Sequence, residues 1–419
     1  MPDVLERAGV ASVGDLAELR GIRECLHWFT REKQWINEQH LHLCRIPAPT
    51  FLETQRAEWF AAQFRAFGCQ VEIDPAGNVI AFLEPDAGEG TLVALTAHLD
   101  TVLAPRNRDD VTVGPDGRLH GPGVSDNGAG LAALLAIARA LQSSTRIEGR
   151  RRSLVLIANV GEEGEGNLNG MRHLFRPAGL ASRIEAWVVL DGPATDHITG
   201  QALASQRFEL LFSGPGGHSW SDHGMGNPVH AISRAITLFL DQVNSGSNGA
   251  SPRCSYNFGL IEGGASINSI PVQARAKLDL RSECQVRVEE LAAQVRAAVE
   301  RVLEQENERA VGGRLTAKVR EIGSRPGGRL PEDSRLLKFV QAVDQHLGIR
   351  SHLDCSSTDA NIPLSLGLAA ISIGAGGQGG GAHTGQEWYS PEGRDLGLKR
   401  ILLTLALLLR DAGDAGADE

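Results

Sequence analysis

Four segments of this chain are apolar almost from end to end, and three of them run directly into acidic or histidine side chains. They are TLVALTAHLD (91–100), SLVLIANV (153–160), EAWVVLDG (185–192) and LAAISIGAG (368–376). A strand with one wet face alternates apolar and polar residues, whereas a run with no polar side has to be covered on both faces. Between the first two lies GAGLAALLAIARALQ (128–142), which reads as a helix. Doubly buried strands alternating with helices predict an α/β domain built on a mostly parallel sheet flanked by helices. Upstream, RIPAPTFLETQRAEWFAAQFRAFG (45–68) opens with prolines that stop the preceding helix. Thr50 and Glu53 there match a capping box, predicting a helix of about 15 residues.

From about residue 202 the texture changes. QRFELLFSG alternates as a half-exposed strand, PVHAISRAITLFLDQV is helical, and CSYNFGLIEGG and VQARAKLDLRS read as strands. A helix over 286–305 and a strand over 314–322 complete a β-α-β-β-α-β order, the pattern of a two-layer α+β domain of the ferredoxin-like kind. The helix in DSRLLKFVQAVDQHLG and the strand near 368–376 then return to the first texture. Because 419 residues exceed what one core usually holds, the expected organisation is a first domain in two parts, 1–201 and 324–419, interrupted by an inserted domain over 202–323.

Charge and composition narrow the function classes. The net charge is −10 and no Lys/Arg cluster appears that could neutralise several phosphates, which argues against a nucleic-acid partner. The six cysteines are scattered without a CxxC pair, so they read as reduced thiols in a reducing compartment. No basic start followed by an apolar stretch is visible at the N-terminus, so a cytoplasmic location is expected. The most apolar run, ILLTLALLL (401–409), is too short to span a bilayer; it predicts a terminal helix packed on the core, with no membrane partner.

The residues just beyond the strands carry the chemistry. His98 and Asp100 close the first, Glu162 and Glu163 the second, and Asp191 the third. In open α/β sheets ligands bind beyond the carboxyl ends of the strands. HGPGVSDNGAG (120–130) adds Asp126 just before the helix, and GGGAHTGQE (379–387) adds His383 after the last strand. Singly, each has a local explanation: His98 and Asp100 as a hydrogen-bonded pair, Asp126 as a helix cap. Together they are the donor types for Zn²⁺ and related divalent ions, and so many carboxylates at equivalent strand ends repel one another without a cation. Rival motifs fall away. GAGGQG (374–379) matches GxGxxG but runs into GGAHTGQEW and not into a helix, and neither GxSxG nor HExxH occurs.

With His98-x-Asp100, Gly121-x-Gly123-x-x-Asp126, Glu162-Glu163, Asp191 and His383 in this order, the sequence resembles the co-catalytic zinc exopeptidase and amidohydrolase family of carboxypeptidase G, tripeptide peptidase T and aminoacylase, peptidase family M20. The likeness extends to IPAPTFLE, GPGGHS (214–219), SINSIPVQARAKLDLR (266–281), STDANIP and HTGQEW. The resemblance implies two divalent metal ions, zinc favoured and cobalt or manganese also fitting. Asp126 would bridge them, one held with His98 and Asp191, the other with Glu163 and His383. Glu162 would be the general base, and Asp100 would hydrogen-bond His98 and fix its ring. The inserted domain would be a lid and dimerisation domain, its His218 donating to the oxyanion across a homodimer interface, with Asn268 and Arg281 gripping the substrate. The implied activity is a metal-dependent exopeptidase for short peptides. Asp191, where some relatives carry glutamate, leans toward the peptidase T and aminopeptidase types. An N-acyl-amino-acid amidohydrolase on the same machinery and an inactive dimeric binding protein are the alternatives.

Overall fold

The segment 92–98 has no polar face because it has no wet one: all seven residues of this strand are buried in the computed structural model. The structure describes residues 2–84, 90–177, 179–246 and 252–412. The chain divides into two units, Met1–Ala202 with Arg329–Glu419, and Leu203–Gly328.

The main sheet of the first unit includes the strands β1 (Gln70–Ile73), β2 (Val79–Phe82), β3 (Leu92–His98), β4 (Ser153–Asn159), β5 (Ile184–Leu190), β6 (His197–Ala202), β7 (His352–Ser356) and β8 (Ala369–Ile373), with the short Gly328–Arg329 at its edge. They run in the order β1-β2-β4-β3-β5-β8-β6, with β7 on β6. The pairs β4·β3, β3·β5 and β5·β8 are parallel, whereas β1 and β2 add antiparallel at one edge. The result is a mixed sheet with a parallel core. Because successive side chains point to opposite faces, a strand buried at every position is covered on both. The helices of this unit include α1 (Thr54–Ala66), α2 (Gly128–Ser143), α3 (Arg335–Leu347) and α4 (Arg394–Arg410). The apolar run 401–409 lies inside α4 and is buried throughout, each large aliphatic side chain contributing about 1.5–3 kcal/mol. Among the described residues no helix is long and apolar enough to cross a membrane.

The capping box does not form. Helix α1 starts at Thr54 behind Glu53, which sits in the helical region and makes no side-chain cap. Both residues have distant partners instead. The Thr50 hydroxyl donates to Asp100 Oδ2 at 2.9 Å, and Glu53 Oε1 accepts from the Gly161 N–H at 3.1 Å. Tertiary partners in the buried strand-end region thus replace the local cap.

The second unit has the β-α-β-β-α-β order. Its long strands, Ala204–Ser213, Cys254–Gly263, Gln273–Ser282 and Thr316–Arg325, form an antiparallel sheet in which Gln273–Ser282 and Ala204–Ser213 are central. Burial alternates along Gln273–Ser282, leaving one apolar face for the helices Pro228–Gly246 and Gln285–Arg309. Phe208, Phe212, Phe239, Leu280 and Leu291 belong to its own core cluster, which shares no residue with that of the first unit.

Candidate metal centre

The parallel register delivers three strand ends to one edge. His98 lies opposite Asn159 of β4, and Ala97 lies opposite Leu190 of β5. The residues just past the three strand ends therefore emerge side by side: Asp100 after β3, Glu162 and Glu163 after β4, Asp191 after β5. His98 is only 1% exposed. Its Nε2 stands 3.1 Å from Asp126 Oδ1 and 4.0 Å from Asp191 Oδ1. The second oxygen of Asp126, Oδ2, lies 3.0 Å from His383 Nε2, which is itself 2.8 Å from Glu163 Oε1. Asp126 accordingly joins two groups, His98 with Asp191 and Glu163 with His383, and within each group one donor atom per residue falls inside 4.8 Å of the others. His98, Glu162 and Glu163 satisfy the same criterion as a third set.

Each donor is held by a partner distant in sequence. The Asp100 carboxylate, fully buried, accepts the backbone N–H of Glu162 (3.0 Å) and of Glu163 (2.9 Å). The His98 ring contacts the Asp100 backbone carbonyl at 3.0 Å through Nδ1, with the carboxylate oxygen farther off at 3.5 Å. The carbonyl is thus the closer orienting partner, and the carboxylate chiefly shapes the Glu162-Glu163 turn. Asn127, which caps α2, donates to the Leu190 carbonyl at 2.8 Å and accepts from the Gly192 N–H at 3.1 Å, fastening the Asp126 loop to the end of β5. The next position has to be Gly128, because a Cβ there would stand 2.5 Å from Cys44 Sγ and from the Gly123 carbonyl. Glu387 accepts the N–H groups of Gly123, Ser125 and Asp126.

Sequence reasoning missed Asn127, Glu387 and Asp359 as site neighbours. Asn159 at the end of β4 donates to Asp359 at 2.5 Å, and Asp359 is fully buried. The only available signal was that Glu387 and Asp359 lie within the quoted stretches HTGQEW and STDANIP; no spacing rule connects them to residues so far away.

The electrostatics are those of crowded, buried acidic groups around two imidazoles. Burial and the Glu162 charge push Glu163 up to about 7, and the same two causes take Asp359 to about 7. Burial and Asp126 hold Asp191 well above the carboxylate range. Against burial, the two imidazoles hold Asp126 far below it, and Asp126 raises His383 to about 9. Six carboxyls thus crowd around two imidazoles, and burial with mutual repulsion raises Glu163, Asp191 and Asp359 above the usual carboxylate range. Imidazole nitrogen and carboxylate oxygen, clustered at this spacing around a shared Asp126, are a donor set that fits divalent metal ions.

The three residues assigned to the second unit separate into two places. His218 pairs with Ser269 in a short antiparallel bridge, its N–H donates to Asp222 at 2.7 Å, and the Ser219 N–H donates to the Asn268 carbonyl at 3.0 Å. His218 and Asn268 therefore share one corner, both exposed. Arg281 is near the opposite end of strand Gln273–Ser282, roughly 26 Å along an extended chain from its first residue, and its Nε donates to Asp279 at 2.7 Å.

Comparison with known proteins agrees with this architecture. Two succinyl-diaminopimelate desuccinylases are similar in sequence. That of Hahella chejuensis is 23% identical over 257 residues, 58% of this chain and 66% of the relative. That of Pseudomonas syringae pv. syringae is 24% identical over 266 residues, 60% of this chain and 70% of the relative. In structure the chain is similar to an aminopeptidase PepT from Bacillus cereus, with TM-score 0.70 and 18% identity over 90% of this chain and 98% of the other. The Bacillus subtilis YXEP protein, described as a dinuclear metal binding peptidase, aligns with TM-score 0.65 and 15% identity over 91% and 99%. At such identities the structural likeness establishes the fold. The family model for peptidase family M20/M25/M40 matches residues 94–407, from within β3 to within α4, and with that span, the mixed sheet and the clustered donors at its strand ends, the chain belongs to this family of amide-bond hydrolases.

Proposed function

We infer that the chain is a two-metal exopeptidase that hydrolyses the peptide bond of short peptides. The observation that carries this reading is the Asp126 carboxylate, which turns one oxygen to His98 and the other to His383. His98, Asp126 and Asp191 would hold one ion; Asp126, Glu163 and His383 the other. A bound pair of divalent ions, zinc first and cobalt or manganese as alternatives, supplies Lewis acidity to the amide carbonyl and to the attacking water. Glu162, 4% exposed and outside the two groups that Asp126 joins, takes the proton of that water and passes it to the leaving amine. Asp100 keeps Glu162 and Glu163 in place through their backbone. His218 is assigned to the oxyanion, Asn268 and Arg281 to the substrate backbone or carboxylate, and the second unit to a homodimer contact. Purified protein is expected to carry two divalent ions per chain, and Glu162→Gln to lower kcat by about 10²–10⁴ with both ions retained. Parental kcat in that variant would remove Glu162 from the role.

A second reading, an N-acyl-amino-acid amidohydrolase, is supported by the desuccinylase names of the similar sequences. Di- and tripeptides assayed beside N-succinyl and N-acetyl amino acids separate the two, with product masses showing which bond breaks and from which end.

A further inference from the structure

The loop that carries Asp126 has little regular structure to satisfy its backbone. Its N–H groups converge on one side chain from the far end of the chain. Gly123 donates to Glu387 Oε2 at 2.7 Å, and Ser125 and Asp126 donate to Oε1 at 2.8 and 2.9 Å. The Glu387 carbonyl accepts from the Gly121 N–H at 3.0 Å, and the residue is 3% exposed. Glu387 also stands only four positions after His383. One residue is therefore bonded to the first ligand loop and belongs to the second.

We propose that Glu387 is the positioning residue of the metal centre: its carboxylate sets where the two oxygens of Asp126 stand between His98 and His383, and with them the geometry of both cation sites. This rests on the reading of Asp126 as the shared ligand. The chemistry requires a carboxylate. It accepts on both oxygens and donates on neither, whereas glutamine would turn an NH₂ toward at least one of the three N–H groups. A buried N–H without an acceptor is unfavourable, so the loop shifts to find one and Asp126 shifts with it. Asn127 still ties the loop to Leu190, so the expected result is looser cation sites in a folded protein.

The test is Co²⁺ titration of the metal-free full chain, followed by visible absorption, together with hydrogen exchange of segment 121–126. Glu387→Gln is expected to weaken Co²⁺ at both sites by about 10- to 100-fold, the usual effect of losing an outer-shell partner. It should also speed exchange of the segment while the far-UV circular dichroism stays parental. Parental Co²⁺ affinity and exchange in Glu387→Gln, with Co²⁺ lost in Asp126→Ala, would overturn the proposal and leave the shared ligand standing. Two Co²⁺ ions bound at parental affinity by Asp126→Ala would overturn the shared ligand itself, and the proposal with it. Should Glu387→Gln fail to fold, Glu387→Asp, which keeps the charge but withdraws it by one methylene, is measured against the same outcomes.

Discussion

His383 has a φ of 65°, a left-handed conformation that residues other than glycine seldom adopt. The turn is held by the Thr384 N–H and hydroxyl, both donating to the Gly381 carbonyl at 3.1 and 2.7 Å, and it brings the imidazole to Asp126 and Glu163. Strain of this kind persists where surrounding contacts over-determine it. At this scale the sequence was informative about residue type and order, and silent about orientation. Adjacent Glu162 and Glu163 had to point differently on any extended segment, but that Asp100 would clasp both of their N–H groups depended on a strand register no local pattern encodes. His218 lies at the opposite extreme, exposed in a turn where its Nδ1 accepts from the Trp220 and Ser221 N–H groups at 3.3 Å. If it serves the oxyanion, His218→Ala should lower kcat by about 10²–10³ with a smaller change in KM, measured by steady-state kinetics on a tripeptide; an unchanged kcat would assign it to the turn alone.

Among the elements, α3 and α4 are joined by a buried ion pair. Arg400 Nε and Nη2 donate to the two oxygens of Asp344 at 2.6 and 2.7 Å, and Arg400 Nη1 donates to the His197 carbonyl at 3.1 Å. Asp344→Ala leaves a buried guanidinium unpaired and should cost about 3–5 kcal/mol in urea unfolding. The double change Asp344→Leu with Arg400→Met should cost less than the single one. A second buried group gives pH dependence. His40, on the helix Lys33–Cys44, accepts from Arg394 at Nδ1 (2.7 Å) and meets the Val124 carbonyl at Nε2 (2.8 Å). Tyr389 packs on the ring, and Cys44 lies near it across Gly128. Burial, and then the Arg394 charge, hold His40 well below its usual value, so the native ring stays neutral where the unfolded one takes up a proton. Stability contributed by this site is thus present above about pH 6.5 and lost as pH falls below it, with a slope up to about 1.4 kcal/mol per pH unit. The slope of unfolding free energy against pH between 7.5 and 5.5 should flatten in His40→Gln. Neither device was legible beforehand, since no local pattern links Asp344 to Arg400, 56 positions away. The failed capping box at Thr50 and Glu53 has the same origin: a local motif lost to distant partners.

For the molecule as a whole, the two units have separate cores, and Leu203–Gly328 closes its own sheet and helices. A fragment spanning 203–328 is expected to unfold in one cooperative urea transition by itself; a non-cooperative profile would show that its core needs the rest of the chain. The sequence by itself determined the alternation of doubly buried strands with helices, the change of texture near residue 202, and the order of acid and imidazole residues behind the strands. Those features come from hydrophobic periodicity and residue chemistry, which are local. Only the tertiary structure decided that His98 and His383 share the two oxygens of Asp126, that Asp100 serves the Glu162-Glu163 backbone more closely than the His98 ring, and that Glu387 supports a loop more than 260 positions away. A buried hydrogen bond is set by which backbone groups lack a partner once the sheet has closed, and that is a property of the closed sheet and of no single segment.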